Sequence, residues 1–269
     1  MRLICFALLA LVANAANEYN YDDQAAWRNL PGSVCGVCNR QSPVNIVPAD
    51  VQQSSSLIDL LFNNYDGKVE GTYSNTGHNV QFDPSGTKDA TIVNHKGTYV
   101  LQQFHLHWGE GQRDGSEHRI GGSQYDAEIH FVHRKEGAAA GSTDIDTLAV
   151  VAVFGVANNA VPITGVWRDL NIPTVYDSSF TVNGINYSDL LPSKRDYYHY
   201  EGSLTTPPCS EVVQWFVLKQ PIPIPASYIS TLRTIQEDEH GTLLTHNVRD
   251  EQPLNGRTVM SRLGRFLTD

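Results

Sequence analysis

The chain predicts a mainly β protein built as a single domain, and two observations carry that expectation. From Gln41 onward, short apolar runs alternate with Gly, Pro, Asn and Asp; examples are Val69–Tyr73, Asn79–Phe82, Thr147–Val156 and Val212–Leu218. This is the pattern of strands separated by turns. Helical periodicity is scarce, and Ala226–Gln236 is the segment that shows it best. No internal repeat, low-complexity tract or long linker divides the 269 residues. One domain with a substantial core and a few short helices is therefore expected.

Taken in order, the chain opens with Arg2, an apolar run Leu3–Val12 and the small-residue stretch Ala13-Asn14-Ala15. A basic start, a hydrophobic centre and an A-x-A site are the parts of a secretory signal peptide. The run is well short of the ~20 apolar residues that span a bilayer. Residues 1–15 are expected to be cleaved, leaving 16–269 as an exported, soluble domain with no membrane anchor. Its destination would be an extracellular or periplasmic-type space. Loss of Arg2 takes the formal net charge from −10 to about −11. Such a surface disfavours nucleic acid and anionic membranes.

Of the four cysteines, Cys35, Cys38 and Cys209 would remain. A single C-x-x-C in an exported chain argues for a disulfide rather than for zinc or redox chemistry. The odd cysteine would then be free or would join two chains as a homodimer. Asn186-Tyr187-Ser188 is an N-x-S/T sequon, an acceptor for glycosylation in an exported protein.

The chemistry concentrates between Leu101 and His133. Val100–Trp108 is rich in aliphatic and aromatic residues and reads as a strand, which places Gln103, His105 and His107 on one face. A loop rich in Gly, Ser and charge follows. The next strand-like run, Tyr125–His133, puts Glu128, His130 and Val132 on one face and His133 on the other. A lone His on a strand is ordinarily a hydrogen-bonded core or surface residue. H-x-H followed by E-x-H on a neighbouring strand is a different matter, because three imidazoles then converge on one point. Three neutral imidazoles and an open position make the protein half of a catalytic zinc site. Gln103 or Glu128 can accept the second N–H of a ligand ring. The spacing alone also admits a cupin-type metal oxygenase or an amidohydrolase-like site.

QFHLHWG, SEH, AEIHFVH, GSLTTPP and the earlier RQSPVNI together resemble an α-type carbonic anhydrase, over about Arg40 to Arg257. The resemblance implies a large, twisted, mixed but mainly antiparallel sheet with a zinc site at the bottom of a conical cleft. It implies Zn2+ on His105, His107 and His130, with Gln103, Glu128 and the Asn247 carbonyl as the outer partners of these rings. It implies reversible hydration of carbon dioxide to bicarbonate and a proton by attack of zinc-bound hydroxide, and a weak esterase activity alongside. Thr205 would accept a hydrogen bond from that hydroxide and donate one to Glu117, with Thr206 beside bicarbonate. Val132, Val150, Leu204, Val213 and Trp215 match the apolar wall for carbon dioxide, although each taken singly reads as core.

His78 matches the family's proton shuttle, a role suited to an imidazole with an ordinary pKa near 6.5. Thr76 and Gln81 stand near it at positions that are often Asn, and Tyr21 is the candidate for the family's Tyr near the cleft mouth. The resemblance also implies that Cys209 pairs with Cys35 or Cys38, with Cys35 preferred on spacing. Such a bond would clamp the N-terminal arm onto the loop carrying Thr205. Inhibition by sulfonamides and small anions follows from the family too. His118 and His133 are expected to be structural, and His95, His199, His240 and His246 carry no chemical case. The competing reading is a non-catalytic extracellular or mineral-matrix protein on the same fold. Members of that sort often lose a zinc-binding His, and none is missing here.

Overall fold

The structure is a computed structural model, and it describes residues 19–86 and 89–263. The stretch expected to be a signal peptide lies outside the described residues. Alternation between apolar and polar positions builds one 13-stranded sheet among the described residues. Its continuous path runs Ser179–Ile185, Val69–Asn75, Val80–Pro84, Gly97–Trp108, Ala127–Lys135, Leu148–Asn158, Val213–Leu218, Tyr197–Gly202, Met260–Arg262 and Gln52–Ser54. Most of the pairings are antiparallel, and Leu148–Asn158 is parallel to Val213–Leu218. The architecture is the expected one: mainly β, mixed, with few short helices.

The central strands place the site. His105 stands directly opposite His130, and His107 opposite Glu128. Residues opposite one another across an antiparallel pair share a face. Register extends that face through Val132 to Val150 and on to Trp215. The alternate residues, Phe104, Leu106, Ile129, Phe131 and Phe216, point the other way into the main hydrophobic core. The reverse face thus anchors the strands, and the front face is left to present the imidazoles.

The helical expectation at Ala226–Gln236 is corrected at its end. The helix covers Ala226–Leu232 and stops. Past it, Gln236 N–H donates to Thr174 O at 2.8 Å and Leu244 N–H to Ile235 O at 2.8 Å. Pairing with distant backbone replaces the bonds a further helical turn would make.

Cys35 and Cys209 form a disulfide across 174 residues of sequence, so Cys35, not Cys38, is the partner of Cys209. Cys38 lies buried nearby, and no described cysteine is free. Among the described residues, no helix is long and apolar enough to cross a membrane.

Candidate metal centre

The three predicted histidines come together. One nitrogen from each of His105, His107 and His130 lies within 4.8 Å of the other two. The opposite nitrogen of each ring is already engaged. His105 Nδ1 pairs with Gln103 Oε1 at 2.8 Å, His107 Nδ1 with the Asn247 carbonyl at 2.7 Å, and His130 Nε2 with Glu128 Oε1 at 2.7 Å. Each acceptor makes its bonded nitrogen carry the proton and leaves a lone pair on the nitrogen facing inward. His107 Nε2 is buried without a hydrogen-bond partner, an arrangement that buried polar atoms avoid unless a ligand supplies the missing contact. Burial, followed by the neighbouring imidazoles, holds His105 well below its ordinary pKa, and burial likewise lowers His107. Neutral, desolvated imidazoles in this geometry can hold a metal ion, and the residues present fit zinc.

Glu128 is fixed more firmly than the alternation of its strand suggests. Its Oε1 also pairs with His118 Nδ1 at 2.6 Å, and its Oε2 accepts from the His118 backbone N–H at 2.8 Å. Burial pushes the Glu128 carboxyl up, but His118 and His130 outweigh it and hold it well below the usual range. His118 Nε2 in turn meets the Tyr200 hydroxyl at 2.7 Å, and that hydroxyl donates to Ser42 Oγ at 2.9 Å. The part played by His118 and Tyr200 escapes sequence reading, because His118 lies in a loop and Tyr200 joins the triad's face only through its register with Trp215, on a strand far away in sequence. The one trace of it in the sequence is Glu128 itself, whose second carboxylate oxygen needs a donor once its strand is buried. His133 is structural as expected, with Nδ1 bonded to Ala149 O and Nε2 to the Tyr65 hydroxyl.

A cavity of about 210 Å³ opens over His105 and His130. Its walls include Val132, Val150, Leu204, Trp215, Thr205, Thr206 and His78, with Thr76 and Gln81 near His78. Val213 is not among the residues that border this cavity. It is buried in the same apolar cluster as Val150 and Trp215, two residues along the strand from Trp215 and opposite Leu148. The aromatic ring at the mouth is Tyr19 rather than Tyr21. Tyr21 is buried against Trp27 at a centroid distance of 5.6 Å.

Glu117 and Thr205 both reach the site, but the hydrogen bond expected between them is not formed. Glu117 Oε1 accepts from the Arg249 backbone N–H at 3.0 Å, and Oε2 has no hydrogen-bond partner. That oxygen points between the inward nitrogens, 3.5 Å from His107 Nε2 and 3.8 Å from His130 Nδ1. The free carboxylate oxygen thus lies beside the ring nitrogens rather than against the threonine.

The RQSP segment, which carries no chemistry, proves to be the brace of the Thr205 loop. Gln41 Nε2 donates to Cys209 O at 3.1 Å, and Ser42 N–H donates to Ser203 Oγ at 2.9 Å. Arg40 is paired with Glu211 just beyond the loop. The disulfide fastens the same loop from the arm side.

The comparisons with known proteins agree with this geometry. The family model for eukaryotic-type carbonic anhydrase matches residues 22–263. Carbonic anhydrase 7 of Mus musculus is 36% identical, covering 90% of this chain and 95% of its own. Putative carbonic anhydrase 3 of Caenorhabditis elegans is 35% identical, covering 90% and 96%. Carbonic anhydrase 5A, mitochondrial, of Rattus norvegicus is 38% identical, covering 82% and 76%. The chain belongs to the eukaryotic-type carbonic anhydrase family and is a carbonate dehydratase.

Proposed function

We propose that residues 16–269 act as one catalytic domain that hydrates carbon dioxide at a single zinc ion held by His105, His107 and His130. The observation that carries this is the convergence of three imidazole nitrogens whose opposite nitrogens are each tied to an acceptor. Zinc bound there lowers the pKa of its water to near 7 and so supplies a hydroxide nucleophile; carbonic anhydrase is itself the reference case for that effect. Gln103, Glu128 and the Asn247 carbonyl orient the rings. Val132, Val150, Leu204 and Trp215 offer carbon dioxide an apolar wall, which suits a small molecule with no charge. Thr205 orients the nucleophile, Glu117 assists from beside the inward ring nitrogens, and Thr206 faces the product bicarbonate.

His78 sits on the same cavity wall and relays the proton to buffer. Weak ester hydrolysis and inhibition by sulfonamides and small anions belong to the same reading. Export through the 1–15 leader is consistent with the Cys35–Cys209 bond, since disulfides persist in oxidising compartments. A purely structural role in a matrix has no observation in its favour, because the complete ligand set is present.

The test is stopped-flow hydration of carbon dioxide by residues 16–269, with zinc quantified on the same sample. Rapid hydration at about one zinc per chain, lost when the metal is stripped and regained on its return, is expected. Zinc retained without hydration would sink the catalytic reading.

A further inference from the structure

A second pair of histidines has the spacing of metal ligands. His95 stands in the turn between the strands Thr91–Asn94 and Gly97–Trp108, and His199 stands in Tyr197–Gly202. Their ring centroids are 4.9 Å apart, with planes 82° from parallel. In the triad the three ring pairs lie 5.0, 5.3 and 4.5 Å apart, at 71°, 87° and 56°. The second pair falls inside both ranges. It belongs to the reverse face of the sheet, because His199 is opposite Phe216, which points into the main core and away from Trp215 and the triad.

Each ring has a nitrogen suited to a ligand. His199 Nδ1 pairs with the Trp215 carbonyl at 2.9 Å. A carbonyl only accepts, so Nδ1 carries the proton and Nε2 keeps its lone pair. His107 is prepared in the same way by the Asn247 carbonyl. Phe216, stacked at 4.8 Å, fixes the plane of the His199 ring. His95 Nδ1 is buried without a hydrogen-bond partner, and so is Asn94 Nδ2, beside it in the chain. Buried polar atoms avoid that condition unless something supplies the missing contact. A lone pair on His95 suits a metal ion, and the Asn94 amide suits a water bound to that ion. Burial lowers the pKa of both imidazoles, that of His199 to about 3, and the Lys96 charge lowers His95 further. Both rings are therefore neutral, the form that binds metals.

A carboxylate stands close by. Glu201 is two residues beyond His199 and shares its strand face. Its charge acts on His95 in opposition to Lys96. Glu201 Oε2 meets Arg40 Nη1 at 3.8 Å between partly exposed side chains. Such a pair is weak, so the carboxylate can turn to a metal at little cost.

We propose that His95 and His199, joined by Glu201, form a second metal site for a divalent transition ion that favours imidazole, with Cu2+ held more tightly than Zn2+. The site shares no residue with the triad, so the inference does not depend on the catalytic reading. Two imidazoles, a carboxylate and water make the mixed nitrogen and oxygen set that Cu2+ prefers. The ion enters from the side of His95 and Glu201, since His199 is 1% exposed.

The experiment titrates the zinc-loaded wild type with Cu2+ at neutral pH. Both metals are counted after dialysis, and pulsed EPR identifies the nitrogens coupled to copper. Full retention of zinc with about one added Cu2+ per chain, coupled to two imidazoles, is expected. His95→Ala, His199→Gln and Glu201→Gln are each expected to weaken copper binding by at least about tenfold, since loss of a mere outer partner already costs roughly 10–100-fold. His240→Ala, which removes an exposed ring, leaves the affinity unchanged, and His95→Ala keeps wild-type hydration of carbon dioxide. If His199→Gln does not fold, His95→Ala and Glu201→Gln carry the test, because their side chains are only partly buried.

No copper beyond the zinc, copper taken up only in exchange for zinc, or coupling to a single imidazole overturns the proposal. An affinity undiminished in His95→Ala or His199→Gln overturns it as well. An affinity undiminished in Glu201→Gln removes the third ligand and with it the site as proposed.

Discussion

His107 is the most enclosed of the three imidazoles, with one nitrogen on the Asn247 carbonyl and the other buried without a hydrogen-bond partner. His107→Ala is expected to abolish zinc binding and to cost activity well beyond the roughly 10–100-fold that loss of an outer partner brings. Metal analysis beside turnover checks this; full zinc with normal turnover would remove His107 from the ligand set. His78 makes the complementary prediction. It lies at the cavity wall rather than in the triad, so His78→Ala should leave kcat/KM nearly intact. Its kcat in weak buffer should fall by about tenfold or more and recover with added imidazole. A kcat independent of buffer concentration in the variant would exclude a shuttle at this position.

At the scale of elements, the metal site depends on two strands and one braced loop. The Gly97–Trp108 and Ala127–Lys135 strands set the ligands by register, so a slip of one residue would turn every imidazole to the opposite face. The Thr205 loop has no such ladder. It is held by Gln41 and Ser42, by the Cys209 N–H donating to Thr206 O at 2.9 Å, and by the bond from Cys209 to Cys35. The bridge closes a long stretch of chain, and its removal in Cys35→Ser/Cys209→Ser is expected to cost about 2–5 kcal/mol of stability. Urea denaturation of the two proteins measures that difference. A midpoint unchanged by the double substitution would show that the hydrogen bonds alone carry the loop.

The whole molecule carries an acid sensitivity apart from the metal site. His133 is fully enclosed, with its pKa pushed down to about 4 by burial. His199, bonded through Nδ1 to the Trp215 carbonyl and packed on Phe216, is pushed down to about 3, burial again leading. Unfolded, each titrates near 6.5. Above that value both states are neutral and neither histidine affects stability. Below it the unfolded chain binds protons that the folded chain refuses. Stability therefore falls with acidification, from pH 6.5 to about 4 for His133 and to about 3 for His199. The slope is roughly 1.4 kcal/mol per pH unit for each histidine. Denaturation midpoints for the metal-free protein between pH 8 and pH 5 should show this decline, and a flat profile would mean the two rings gain protons in the folded state.

Sequence alone determined what depends on near neighbours in the chain. Period-two alternation put His105 beside His107 and Glu128 beside His130, and turn residues marked most of the strands, because strand geometry links positions two apart whatever lies beyond them. The family was legible for the same reason, in contiguous blocks such as QFHLHWG and GSLTTPP. What only the tertiary structure decided are contacts between residues far apart in the chain. His118 locks Glu128 and joins Tyr200, and Tyr19 rather than Tyr21 faces the cleft. Spacing cannot supply these, since loop closure sets the distance between such residues by how the whole sheet twists and packs, not by their separation in sequence.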